Sequence, residues 1–222
     1  MARKIVYFCE KQIKNRMSPT IILILLNIGA SFYAWNNKNM YNKWMMNPYR
    51  IYHNNQYYRF ITSGFIHGDW MHLFFNMFAF YSFGEALEYY LYMYTGAAAQ
   101  LYFYGVYIIA LIVSDIPTYF KNKDNESYNS LGASGAVAAI IFACIVAEPL
   151  GDLYIYGIHC KNFIFGFIYL AYSYYSSKKN LGGINHDAHF YGAVFGIVAM
   201  AVIHPTLLTT FFEKLGGWRP FN

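Results

Sequence analysis

Six long segments of this sequence consist mainly of apolar residues. A helix of about 18 or more such residues can cross a hydrocarbon core ~30 Å thick, at ~1.5 Å of rise per residue. Only 12% of the 222 residues are charged, about half the share found in soluble domains. The sequence therefore predicts an all-α membrane protein with six membrane-spanning helices. The predicted spans are residues 18–36, 70–93, 97–118, 131–149, 162–177 and 187–204.

Basic residues predict the orientation of the chain. Residues 1–17 carry five of the sixteen lysines and arginines. Because cytoplasmic segments of membrane proteins are enriched in these residues, we expect this tail to be cytoplasmic. An even number of crossings then returns the carboxyl terminus to the same side. We expect a basic cytoplasmic tail at 1–17, a single six-helix domain at 18–206 and a cytoplasmic tail at 207–222.

Charge and cysteine usage narrow the expected partners. The net charge of +5 is small, and no basic stripe alternates with exposed aromatic residues, so we expect no nucleic-acid partner. The three cysteines show no CxxC spacing, which favours reduced packing residues over a metal site. Membrane lipids are the expected surroundings.

Polar residues collect near the starts of the second, fourth and sixth spans. His72 and Asn76 lie early in the second span, Ser134 in the fourth and His189 in the sixth. These spans run in the same direction, so their starts share one face of the membrane. At helical rise, each residue lies within about 3 to 10 Å of the start of its span. Ionisable groups inside spans are costly and rare, so this shared depth predicts a functional site.

Glycines predict that the fourth and sixth spans pack closely. The sixth span has two glycines four residues apart, the spacing that lets helix backbones approach each other. Two more glycines flank Ser134, so its hydroxyl is expected to reach the His189 ring. The glycines are Gly132, Gly135, Gly192 and Gly196.

A serine beside a histidine is the pairing needed for nucleophilic catalysis, because the imidazole can take the proton of the attacking hydroxyl. His72 and Asn76 project from one helix face and can both donate to a developing oxyanion. The free N–H groups at a helix start at Ser134 would add to them. We expect no aspartate within an apolar span to orient His189, so we predict a catalytic dyad of Ser134 and His189.

Three separated stretches resemble the rhomboid family of intramembrane serine proteases in its six-span form. They are "RFITSGFIHGDWMHLFFNMFAFYSFGEALE", "GASGA" and "AHFYGAVFG", and the resemblance covers about residues 56–200. It implies that Ser134 is the nucleophile and His189 the general base and acid. It also implies an oxyanion hole formed by His72, Asn76 and the backbone N–H of Ser134.

The resemblance extends to the segment between the first two spans. It implies a half-buried loop at about 40–69, with His67 as a structural histidine and Arg59 and Glu88 as an anchoring charged pair. The sequence departs from the family at Ala138, where many relatives carry an aromatic residue against which the catalytic ring rests. Phe190 or Tyr191 would be the expected substitutes.

The family also implies the substrates and the location. The implied substrates are single-span membrane proteins. They enter sideways from lipid between the second and fifth spans and are cleaved near their outer ends. No metal or other cofactor is implied. The expected location is the bacterial inner membrane, with a multi-pass topology and both termini in the cytoplasm.

Other interpretations stay open. Alone, Ser134 would commonly be an N-cap or packing residue, and His189 a partner of a neighbouring helix. A metal-dependent membrane enzyme or transporter could use His67, Asp69 and His72, or the "HDAH" motif, although HExxH is absent. A rhomboid-like pseudoprotease would bind membrane clients without cutting them, and it would be expected to lack the serine or the histidine.

Overall fold

A computed structural model of the chain describes residues 17–155, 158–179 and 185–219. The predicted amino-terminal tail lies almost entirely outside these residues. Short 3₁₀ turns at Ser63–Phe65 and Gly96–Ala98 accompany the helices. The helices are α1 (Pro19–Trp35), α2 (Lys38–Trp44), α3 (Pro48–Asn54), α4 (Arg59–Thr62), α5 (Trp70–Thr95), α6 (Ala99–Asn122), α7 (Ser134–Ala147), α8 (Asn162–Lys179), α9 (His186–Ile203) and α10 (Thr206–Gly217).

Each predicted span contains one long helix, in the order α1, α5, α6, α7, α8 and α9. Among the described residues, two stretches are long and apolar enough to cross a membrane: Trp70–Asn122, which contains α5 and α6, and His186–Ile203. Helices α1 and α7 are apolar but have only 17 and 14 residues. The helices thus lie where the sequence predicts them, while the crossing of a membrane by all six stays a prediction.

Helix α7 forms the centre of the fold. All of its residues after the first are buried, from Gly135 to Ala147. Helices α5, α6 and α9 pack around it, and α8 packs mainly against α9. An apolar helix without a polar face is expected in such a central position. Ser134 is therefore the first residue of a helix that is otherwise entirely buried.

The segment between α1 and α5 is more ordered than the predicted half-buried loop, because it contains α2, α3 and α4. Arg59 holds it from within and is only 1% exposed. Its guanidinium donates to the carbonyl oxygens of Asn42 and Met45, at 3.1 and 2.6 Å, and to the side chain of Gln56. These bonds satisfy carbonyls at the end of α2, where a cation is favoured.

The predicted pairing of Arg59 with Glu88 is wrong. Glu88 lies 18 residues after the start of α5, which places it ~27 Å along the helix from the end where Arg59 binds. Its carboxylate instead accepts hydrogen bonds from Ser18 Oγ at 2.6 Å and Thr20 N at 2.8 Å. Glu88 thus anchors the start of α1, whereas Arg59 anchors the segment that follows α1.

Two further features depart from the predicted architecture. An antiparallel hairpin of β1 (Asp152–Ile155) and β2 (Ile158–Lys161) joins α7 to α8, so the fold is not purely α-helical. The predicted carboxyl-terminal tail carries α10, whose Lys214 Nζ lies 2.7 Å from Glu148 Oε2 at the end of α7. Both features lie at the end of α7 opposite Ser134.

Candidate active site

Ser134 is the first residue of α7, and the N-cap position is taken by Ala133, which offers no capping side chain. The structure therefore does not support the N-cap interpretation of this serine. Gly132 precedes it with φ +117°, a conformation that favours glycine. A Cβ atom at Gly132 would lie 2.7 Å from both Cε1 and Nε2 of His72, so the imidazole lies directly against this glycine.

Helices α7 and α9 touch through their backbones. A Cβ atom at Gly192 would lie 2.1 Å from the carbonyl oxygen of Gly135, and one at Gly196 would lie 2.1 Å from that of Ala139. Such distances leave no space for any side chain other than hydrogen. Ser134 and Ala188, the residue before His189, consequently line the same small cavity.

His189 lies one turn into α9 and is half-buried. Its ring stacks on Tyr169 of α8, with centroids 6.3 Å apart and planes 27° apart. The ring of His186 is nearly perpendicular to it, with centroids 5.7 Å apart. No hydrogen bond joins the Ser134 hydroxyl to the His189 ring in the part of the chain that the structure describes. The two helices bring Ser134 and Ala188, the neighbour of His189, to one cavity, but this conformation is not one in which the proton is already shared.

His72 and Asn76 project from the first two turns of α5, whose start is capped by Asp69. His72 Nδ1 accepts a hydrogen bond from Gly68 N at 3.4 Å, which leaves the proton on Nε2, the atom that faces Gly132. Asn76 Nδ2 donates to His72 O at 2.9 Å. His72 thus offers a donor beside Gly132, two residues before the serine, whereas the Asn76 amide is engaged with its own helix.

His67 is fully buried and links the segment before α5 to the start of α7. Its Nε2 accepts from Ala133 N at 3.4 Å, and its Nδ1 lies 3.0 Å from Ser31 Oγ. Trp35 Nε1 donates to its carbonyl oxygen at 2.7 Å. Burial, reinforced by the neighbouring His72, lowers the pKa of His67 to about 3. His67 therefore stays neutral and keeps the acceptor that Ala133 needs.

Acid is expected to destabilise the fold through His67. Its folded pKa lies below the value of about 6.5 for a solvated histidine, so the unfolded chain binds more protons between these pH values. The contribution of neutral His67 to the free energy of unfolding is complete above about pH 6.5 and is lost progressively as the pH falls towards 3. We expect the midpoint of thermal unfolding to fall with pH in the wild type and to fall less in His67→Gln. Equal slopes in the two proteins would contradict this role, and His53→Gln, at an exposed position of α3, is the control.

An aspartate does lie in an apolar helix of this site, contrary to the sequence prediction. Asp115 is inside α6, and its Oδ1 accepts from Asn185 Nδ2 at 3.0 Å. Asn185 is the N-cap of α9 and also accepts from Ala188 N and from Thr118 Oγ1. Asp115 therefore supports the start of the helix that carries His189 and makes no direct bond to the imidazole. An ionisable residue within the third predicted span was the signal that should have identified it.

Metal ligation finds no support in the geometry. In the ranges that the structure describes, no three His, Cys, Asp or Glu side chains are grouped as a metal site requires. His67 uses both ring nitrogens on protein atoms, so it has no free lone pair to offer.

Comparisons with known proteins agree with the resemblance in the sequence. A family model described as Rhomboid domain matches residues 54–206. The chain is 29% identical over 141 residues to the presenilin-associated rhomboid-like protein, mitochondrial, of Homo sapiens, covering 62% of this chain and 35% of that protein. It is 27% identical over 215 residues to rhomboid-like protein 11, chloroplastic, of Arabidopsis thaliana, covering 83% of this chain and 65% of that protein.

This chain matches only part of each relative, so the activity of a whole relative is not transferred to it. This chain spans about a third of the length of the human relative and less than two thirds of the plant one. The names of both relatives give an organelle, so the bacterial inner membrane stays a prediction for this chain. The domain match includes every candidate site residue from Arg59 to Gly196, and the family is embedded in membranes. This protein belongs to the rhomboid family.

Proposed function

We propose that this protein is an intramembrane serine endopeptidase that uses Ser134 and His189. The observation that carries the proposal is the backbone contact of α7 with α9 at Gly135 and Gly192, which brings the starts of two helices to one cavity. The serine lies on one of these helices and the histidine on the other. A hydroxyl at a helix start also has free backbone N–H groups beside it, the donors that an oxyanion requires.

The reaction follows from these positions. A ring nitrogen of His189 removes the proton of Ser134 Oγ while the oxygen attacks the carbonyl carbon of the scissile peptide. The developing oxyanion accepts hydrogen bonds from His72 Nε2 and the backbone N–H of Ser134, and from Asn76 once its amide leaves the His72 carbonyl. The imidazolium then protonates the leaving amine. Water, activated by the same imidazole, releases the acyl group from Ser134.

The proposed substrates are single-span membrane proteins cleaved near the outer ends of their spans. The proposed topology is a six-span bundle with both termini in the cytoplasm, and substrate helices reach the site from the lipid between α5 and α8. No cofactor takes part in the proposed reaction. Exposed aromatic and aliphatic side chains on α5 and α8 suit contact with lipid or with such a helix. They include Phe74, Phe75, Phe78, Phe167 and Ile168.

A fluorophosphonate probe tests the proposal, because it reacts covalently with an activated serine. We expect the purified protein in detergent to be labelled, and we expect Ser134→Ala and His189→Ala each to abolish labelling. Loss of the nucleophile or of its base commonly costs several orders of magnitude in rate. Ser82→Ala, an exposed serine on α5, is the matched control and should be labelled like the wild type. Labelling that persists in Ser134→Ala would exclude this serine as the nucleophile.

A client-binding pseudoprotease is the second candidate. The observation that favours it is the absence of a hydrogen bond between Ser134 and His189 among the described residues. Catalytic hydrogen bonds are often long or poorly aligned without substrate, so this geometry is compatible with both candidates. An unlabelled wild-type protein that still binds a single-span membrane protein in lipid nanodiscs would favour the pseudoprotease.

A further inference from the structure

Helix α7 offers no aromatic surface to the catalytic histidine. Ala138, one turn after Ser134, is fully buried and ends in a methyl group. Phe190 packs against Tyr174 of α8 and against Tyr191, so neither of the two expected substitutes supplies a ring contact to His189 within the described residues. The aromatic ring stacked on His189 belongs instead to Tyr169 of α8.

Tyr169 is held in place by further rings. It contacts Phe142 of α7, with centroids 5.6 Å apart, and Phe165 on its own helix, at 6.0 Å. Phe165 in turn stacks on Phe83 of α5 at 6.3 Å and 18°. A row of rings therefore runs from α5 through α8 to the imidazole, and its separations lie in the range of favourable aromatic pairs.

The start of α9 is bound to α8 at two other levels. Tyr172, one turn after Tyr169, meets His186 edge-on at 5.8 Å, and Ser177 Oγ donates to Asp187 Oδ1. Two tyrosines one turn apart thus face two histidines one turn apart. Contacts from α8 thus reach both histidines at the start of α9.

We infer that Tyr169 is a positioning residue that holds the His189 ring in the orientation needed to accept the Ser134 proton. Ala138 on α7 has no ring to support the imidazole, and Tyr169 supplies that ring from α8. The inference rests on the proposed function. It has the consequence that the base is correctly oriented only while α8 is packed against α9.

Labelling kinetics with the fluorophosphonate probe test this inference. We expect Tyr169→Ala to lower the maximal rate of labelling by between about 2-fold and 12-fold, the value of one aromatic pair, with little change in the probe concentration for half-maximal rate. Tyr169→Phe keeps the ring and is expected to retain the wild-type rate. Tyr169→Leu keeps most of the volume without the aromatic face and is expected to behave like alanine, which separates ring support from simple packing. Tyr175→Ala, at an exposed tyrosine of α8, is the matched control.

Each outcome decides between the alternatives. A Tyr169→Ala or Tyr169→Leu protein labelled at the wild-type rate would overturn the inference while leaving Ser134 as the nucleophile. A Tyr169→Phe protein as slow as Tyr169→Ala would also overturn it, because the hydroxyl and not the ring would then matter. A wild-type protein that is not labelled at all would remove the proposed function and this inference with it.

Discussion

Replacing Gly192 with alanine is expected to separate α7 from α9 and to abolish probe labelling. The new methyl group would lie 2.1 Å from the carbonyl oxygen of Gly135, and a backbone atom cannot rotate out of its path. Inserting a methyl group into a packed interior costs about 1–3 kcal/mol, and the upper end is expected where backbone must move. Gly196→Ala should have the same effect through the carbonyl of Ala139. Thermal unfolding in mild detergent, together with labelling of Ser134, would measure both losses.

Gly29→Ala and Gly105→Ala are the controls for this experiment. Both glycines lie inside helices, and a Cβ atom at either would have no neighbour within 4 Å. Alanine is the better helix former by about 1 kcal/mol, so these variants should be at least as stable as the wild type. A Gly192→Ala protein that behaved like Gly105→Ala would show that the backbones of α7 and α9 are not in contact at Gly192.

Replacing Gly132 with alanine is expected to inactivate the site and to destabilise the fold. Two effects add at this position: φ is +117°, and the new Cβ atom would lie 2.7 Å from the His72 ring. Backbone strain of this kind costs about 1–3 kcal/mol. The imidazole can rotate away from the methyl group, but its Nε2 then no longer lies against residue 132, two residues before the serine. We expect labelling of Ser134 to fall by about 100-fold or more, the loss seen when an oxyanion donor is removed.

Gly96→Ala separates the two effects. Gly96 also has a positive φ, +57°, but a Cβ atom there has open space around it. It should therefore show a cost in stability with unchanged labelling. If Gly132→Ala and Gly96→Ala lost stability equally and both were labelled normally, His72 would have no part in the reaction.

Hydropathy and helical rise predict the long helices well because each helix needs a continuous apolar run. They also predict which helix starts share a face, because that follows from the order of the spans. The short helices α2 to α4 escape prediction, since their mixed sequence has no apolar period and they are fixed by tertiary bonds such as those of Arg59. A pairing taken from a resemblance, like that of Arg59 with Glu88, fails when the helix between the partners is too long.

The orientation of each helix about its own axis is the information that the sequence lacks. Helix α7 is apolar on every side, so no pattern shows which face meets α5, α8 or α9. The stacking of Tyr169 on His189 depends on that rotation and could not be anticipated from spacing. Asp115 is a different case, because a carboxylate in an apolar segment is visible in the sequence and is itself a signal of a functional site.

The capping of α1 by Glu88 has a consequence for the order of assembly in the cell. The carboxylate that satisfies Ser18 Oγ and Thr20 N comes from a residue 68 positions after Thr20. A ribosome therefore completes α1 well before it makes the acceptor for the amide of Thr20. Until α5 has been made, Ser18 Oγ and Thr20 N must take other hydrogen-bond partners, so the start of α1 gains its final hydrogen bonds only when α5 packs against it.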